Sequence, residues 1–265
     1  MFRDRRRNAR LGAALAWLGG GGLAGYERLR RKHLHHHLDR LDPHAFDHRA
    51  YLDARPRLRR AVRALEWAHV PALELLLRLA PLRRAGRGAP FAAERARLAA
   101  VLAARVAFAA ALGLLGGPVL LALYAAAYLL FVVAARFGDA FHHTYDVVLV
   151  HDYDLAYGSP PGRDRAYEQA NTFTNLLSTR WPLLNVGALN FAFHNAHHEK
   201  PGVPWHRLPA LDGTLFGDAP RHRVPLRRLL ADFHRHRLDR LDTPHAPPAV
   251  PAARFGAVGV SLLTI

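Results

Sequence analysis

The sequence predicts an all-α, membrane-embedded protein built around a transmembrane hairpin. Three observations carry that prediction. Residues 106–135 contain no charged side chain. Gly116, Gly117 and Pro118 stand near the middle of this apolar run, where a turn would fall. Elsewhere apolar side chains recur at helical spacing, as Leu65, Val70, Leu73, Leu76, Leu77 and Leu79 do.

Residues 11–26 are apolar but broken by Gly19, Gly20, Gly21 and Gly22. A bilayer span needs about 20 apolar residues, so this segment reads as an interfacial or re-entrant piece. It also lacks the small-x-small cleavage site of a signal peptide. Residues 28–60 are charged and hold a dense histidine cluster. Residues 61–82 read as one amphipathic helix, which Glu66, Glu74 and Arg78 keep from spanning.

The hairpin enters over residues 98–115 and returns over 119–135. Arg105 either snorkels or faces a polar interior. Its tip is uncharged, while Arg95, Arg97 and Arg136 stand at the mouths, so both mouths are expected on the cytoplasmic side. Residues 176–193 are amphipathic and carry Trp181 as an interfacial anchor. Residues 225–241 form an Arg/His-rich helix, 244–251 a proline-rich linker, and 252–265 an apolar tail too short to span well.

Composition narrows the chemistry. The 265 residues are 51% hydrophobic, yet the formal net charge is +16. Lys32 and Lys200 are the only lysines, so the basic excess is arginine. A pI near 11.3 suits either nucleic acid or an anionic membrane surface. Nucleic-acid binding leaves the uncharged stretch unexplained, and no nucleic-acid partner is expected. The absence of cysteine excludes disulfides, thiolate metal sites, iron–sulfur clusters and cysteine nucleophiles. A metal would therefore rest on His, Asp, Glu or Asn, and 18 histidines make imidazole the abundant donor.

Those histidines are patterned. His33, His36 and His37 have the spacing H-x-x-H-H, and His194, His197 and His198 repeat it. With 18 histidines in the chain, composition alone yields roughly 0.1 such triplets. On a helix, positions i, i+3 and i+4 share one face, so three imidazoles project into one volume. Neutral imidazole is a ligand for iron, zinc, copper and nickel. Two facing clusters can hold a pair of metals, and His142–His143 lies between them in sequence.

Other chemistries fit less well. His198–Glu199 is followed by Lys200, Pro201 and Gly202, so the zinc-protease pattern H-E-x-x-H fails. Glu66–His69 is the only Glu-x-x-His pair, too few for a carboxylate di-iron bundle, and reads as a helix-surface pair. The serine-hydrolase elbow, the P-loop and the dinucleotide fingerprint are absent.

The run His194-Asn-Ala-His-His-Glu-Lys-Pro-Gly-Val-Pro-Trp-His-Arg-Leu-Pro209 resembles the third histidine box of the membrane fatty acid desaturase superfamily. Arg31-Lys-His-Leu-His-His-His37 resembles its second box. Asp139-Ala-Phe-His-His-Thr-Tyr145 resembles its isolated additional histidine, with a polar residue four positions before. Asn171-Thr-Phe-Thr-Asn175 and Trp181–Pro182 are also similar to the family, and the resemblance covers residues 2–217.

The resemblance implies a helical bundle with a cytoplasmic histidine-rich cap, over a membrane domain of residues 1–243, followed by the linker and tail of 244–265. It implies two iron ions held by His33, His36, His37, His143, His194, His197 and His198. Asp139 would be a water-mediated or supporting partner; His35 and His142 would not be ligands. The irons would activate O2 with electrons from a ferredoxin-like or other external donor, and a double bond would enter a lipid acyl chain. A lipid or carotenoid hydroxylase or ketolase would use the same ligands. The expected location is a bacterial inner membrane, with the histidine boxes on its cytoplasmic side.

The family's first box, H-x-x-x(-x)-H, precedes the second, and this chain has no histidine before His33. In relatives that box lies just ahead of a segment like Phe2-Arg-Asp-Arg-Arg. The expectation is therefore that the chain is N-terminally truncated or its start codon placed too late. A complete chain of this kind would be a degenerate, non-catalytic relative that binds iron poorly. Asp139, Asp146 and Asp152 are expected to orient ligating histidines. Metal binding is expected to weaken as pH falls through about 6.5, the ordinary imidazole value.

Overall fold

The computed structural model describes residues 4–18, 25–40, 42–44, 47–78, 92–139, 142–143, 145, 147–149, 163–217 and 223–242. The architecture is helical. Two three-residue strands, β1 (Asp42–His44) and β2 (Val147–Leu149), pair in parallel, with Asp42 opposite Val147 and His44 opposite Leu149.

Helix α1 (Arg5–Leu18) packs on α2 (Tyr26–Asp39), which ends at Arg40 in a left-handed conformation (φ 52°). Helix α3 (His48–Asp53) starts where the Asp47 carboxylate accepts a hydrogen bond from the Ala50 amide at 2.9 Å. Pro56 opens α4 (Pro56–Trp67), where its missing N–H costs nothing. The single helix expected over 61–82 is instead two, α4 and α5 (Ala72–Arg78). Between them His69 sits at φ 61° and Pro71 supplies no amide, so the helix cannot continue. Leu52, Val62, Leu73, Leu77 and Leu241 form a small apolar core across these pieces.

The long apolar helix α6 spans Ala92–Asp139 and is broken at Gly117 (φ 65°, ψ −167°), followed by Pro118. The Phe108 and Tyr124 rings lie 5.3 Å apart, edge to face. Sixteen residues of continuous helix would separate them by about 24 Å, so the two arms lie side by side at this level. Only 6% of the most apolar window is buried, and Leu114 and Leu115 are 88% and 85% exposed.

The far end of α6 is anchored by charge. Arg136 is buried with Glu66, to which it donates, and its Nε lies 4.0 Å from a Glu74 oxygen. The Leu73 amide donates to Glu66 at 2.7 Å. Glu66, expected on a helix surface, is therefore 1% exposed and fully engaged. Arg78 donates to the Tyr128 hydroxyl at 2.6 Å, fastening α5 to the returning arm.

The remaining elements are short: α7 (Arg165–Ala170), α8 (Pro182–Gly187), α9 (His194–Glu199), a 3-10 turn (Trp205–Arg207), α10 (Leu208–Phe216), α11 (Leu226–Arg235) and α12 (Asp239–Asp242). The helix expected over 225–241 thus divides at His236, and the segment 176–193 is mostly turns around α8. An extended spine, residues 172–175, joins them. Phe173 N donates to His142 O (2.8 Å), Asn175 N to Ala192 O (2.9 Å), and Val224 N donates to Thr174 O (3.1 Å). The glycine run at 19–22 and the segment 244–265 lie outside the described residues.

Replacing Arg136 by Met should leave the buried Glu66 carboxylate without its cation and cost about 3–5 kcal/mol. Chemical unfolding in detergent micelles measures this, and replacing Arg136, Glu66 and Glu74 together by apolar residues should cost much less.

Candidate metal centre

Helix α2 presents His33, His36 and His37 on one face, and α9 presents His194, His197 and His198 toward them. His143 arrives from the segment following α6, held by an antiparallel bridge to Thr172. All seven expected histidines come together, and they divide. His36, His143, His194 and His198 form one buried group; His33, His37 and His197 form a second, more open one; and His37, Glu168 and His198 form a third that links the two.

In the first group His143 Nε2 lies 2.9 Å from His36 Nε2 and 2.7 Å from His194 Nε2. In the second, His37 Nε2 lies 3.1 Å from both His33 Nε2 and His197 Nε2, which are 3.4 Å from each other. A neutral imidazole has one N–H, so three converging nitrogens cannot all be satisfied by one another. A cation accepting their lone pairs satisfies them together. Ligands about 2.0–2.1 Å from a metal lie about 2.9 Å apart at right angles and about 3.4 Å apart at a tetrahedral angle. The observed 2.7–3.4 Å spacings fall close to that range, so the two groups fit metal ions.

A family model for fatty acid desaturases matches residues 1–229. The chain belongs to the fatty acid desaturase family. No curated protein and no solved structure matches it.

Around the histidines lies a shell of partners. His198 Nδ1 donates to Glu168 at 2.9 Å, which leaves its buried Nε2 without a hydrogen-bond partner. A carboxylate on one ring nitrogen fixes the tautomer that frees the other for a metal. Glu168 also accepts from Arg40 Nε at 2.9 Å, while Arg40 and Arg163 exchange hydrogen bonds with each other's carbonyls. The left-handed end of α2 is thereby clamped to α7. His143 Nδ1 lies 3.2 Å from the Thr172 hydroxyl, itself 3.0 Å from the Tyr145 hydroxyl.

Sequence reasoning missed Glu168 and named Asp139, Asp146 and Asp152 instead. The Asp139 side chain and the other two residues lie outside the described residues. One signal was available: Glu168 is the only glutamate between positions 95 and 198. His35 and His142 belong to neither group. His35 pairs with Asp39 at 2.7 Å, and His142 stacks on His194 with ring centroids 4.0 Å apart.

Burial sets the protonation of the site. Desolvation, reinforced by neighbouring histidines, pushes His33 down to about 3 and His197 to about 4. The same causes hold His37, His143, His194 and His198 far below the ordinary imidazole value. Burial raises Glu168, against the opposing Arg40.

The expected loss of metal near pH 6.5 therefore moves. In the folded site His33, His37, His143, His194, His197 and His198 stay neutral below 6.5, so bound metal should persist there. Folding of the metal-free protein behaves otherwise, because unfolded histidines take up protons near 6.5 while His197 does so only near 4. Its stability should be full above 6.5 and fall steadily toward 4, as denaturation midpoints across that range would reveal. Glu168→Ala should lower metal affinity by about 10–100-fold with the helical content unchanged. Competition against a chromophoric chelator gives the number, and Glu168→Gln, which can still accept from His198, should recover part of it.

Proposed function

We propose that this desaturase-family protein is an integral membrane, O2-dependent di-iron oxidoreductase that introduces a double bond into a lipid acyl chain. The observation that carries the reading is the gathering of seven histidines into groups of four and three, each with ring nitrogens within 4.8 Å of one another. His36, His143, His194 and His198 would hold one iron, and His33, His37 and His197 the other. When bound, the irons supply the redox chemistry that activates O2 with electrons from a ferredoxin-like or other donor.

The protein's own contributions follow from its residues. Desolvation keeps the His143, His194 and His198 imidazoles neutral and their lone pairs available. Phe191 packs over His142, His194 and His197, with centroid distances of 5.2, 4.8 and 5.6 Å, and helps to exclude water. Tyr145 stacks on His143 at 4.2 Å and restrains its plane. Glu168 and Arg40 orient His198.

The two arms of α6 support the membrane part of the reading. The arms, residues 92–116 and 118–139, make about 33–38 Å of helix, enough to cross a hydrocarbon layer of about 30 Å. Their bare apolar surface has no cover among the described residues, and a bilayer supplies one. Arg95, Arg97 and Arg136 at the mouths favour the cytoplasmic side for both ends. His142 and His143 follow the end of α6 by a few residues, which puts the histidine groups on that same side.

The test combines iron content with lipid product analysis on purified, reconstituted protein. His194→Ala should lose iron from the buried group, and His33→Ala or His197→Ala should abolish product while membrane insertion persists. Product formation by either of the latter at the unmodified level, or failure of the unmodified protein to bind iron, would sink the assignment. Mass spectrometry separates a double bond from a hydroxyl or keto product.

A further inference from the structure

We propose that residues 181–189 make a second contact with the bilayer, lying in its headgroup and upper acyl region beside the histidine groups. The proposal rests on the membrane reading of α6 and adds to it a site of lipid engagement next to the metal centre.

The segment displays large apolar side chains outward. Leu183 is 83% exposed, Trp181 62%, Leu189 58%, Leu184 54% and Val186 40%. This display is held by the hydrogen bonds of a buried side chain. Asn185 is 2% exposed; its carbonyl oxygen accepts from the Leu177 and Ser178 amides at 2.9 and 3.3 Å, and its amide donates to Ser178 O at 2.7 Å. Ser178 Oγ accepts from the Trp181 amide at 2.9 Å. Leu189 and Asn190 both adopt left-handed backbone, at φ 52° and 51°. For leucine that conformation is strained, and it accompanies an outward Leu189 and an inward Asn190, which is 5% exposed. Strain that exposes a leucine gains nothing in water; it gains when the outside is apolar.

The chemistry around the patch selects lipid as the occupant. Over residues 171–198 the only Asp, Glu, Lys or Arg is Arg180. Its guanidinium lies 5.5 Å from the Trp181 ring centroid. Arginine beside tryptophan, followed by leucines, suits a phosphate layer above an acyl layer. The patch also lies close to the end of α6. His142, three residues beyond that end, packs its ring 5.2 Å from Phe191, two residues after Leu189. An acyl chain leaving the bilayer at this patch would meet Phe191 and then the histidines.

The test uses protein in which Trp17, Trp67 and Trp205, exposed by 45%, 63% and 42%, are each replaced by Phe. It is reconstituted in phosphatidylcholine–phosphatidylglycerol vesicles in which part of the phosphatidylcholine carries bromine at a shallow acyl position. Trp181 emission should lose most of its intensity to the brominated lipid and little to aqueous acrylamide. Adding Leu183→Asp and Leu189→Asp should reverse that preference with iron content unchanged. Quenching by acrylamide alone, or by neither agent, overturns the proposal. A companion with Trp181→Phe and Phe108→Trp reports on α6. If lipid quenches the companion but not Trp181, the interfacial proposal fails alone; if lipid quenches neither, the membrane reading fails with it.

Discussion

Two sets of imidazole nitrogens converge in a desolvated interior, and the rest of the structure is arranged around that crowding. Separations of 2.7–3.4 Å between Nε2 atoms cannot be sustained by hydrogen bonds alone, since each neutral ring has one proton to give. Nor can charge relieve it, because burial disfavours protonation of every ring with a lowered value. The arrangement is stable only if the nitrogens share a cation or the scaffold holds them together. The spine at 172–175, the β1–β2 pair and the Arg40–Glu168 clamp are the scaffold. They join α2, the His143 segment and α9 through backbone hydrogen bonds and one ion pair.

The second organising constraint is the bare surface of α6. Little of its apolar window is covered among the described residues, and its far end carries a buried Arg136–Glu66–Glu74 cluster that ties it to α4 and α5. The cluster fixes where the returning arm ends. The histidine segment begins a few residues later, so the position of His143 is coupled to the exit point of the apolar helix. This short connection sets the histidine groups just beyond the end of the apolar helix.

Several local readings failed, one for a local reason and two for a distant one. The helix expected over 61–82 is divided because His69 and Pro71 interrupt it, while the amphipathic pattern continues on both sides of the break. Glu66 looked like a surface residue beside His69; its partner Arg136 lies 70 positions away. Glu168 carried no motif around it, and its role appears only when α7 lies against α9. Periodicity reports which face of an element is apolar, and is silent about which distant charge will meet it.

The sequence by itself determined what is local. Helical spacing puts His33, His36 and His37 on one face, and His194, His197 and His198 on another. The absence of charge over 106–135 and the Gly117–Pro118 break likewise depend on neighbouring residues alone. Only the tertiary structure decided how seven histidines divide into four and three. That division joins His36 to His143 across 107 positions and His37 to His197 across 160. The same is true of Glu168 on His198 and of Arg136 in its carboxylate pocket. Contacts of that range depend on how elements pack, and packing is set by the volume and charge of partners that no window of sequence contains.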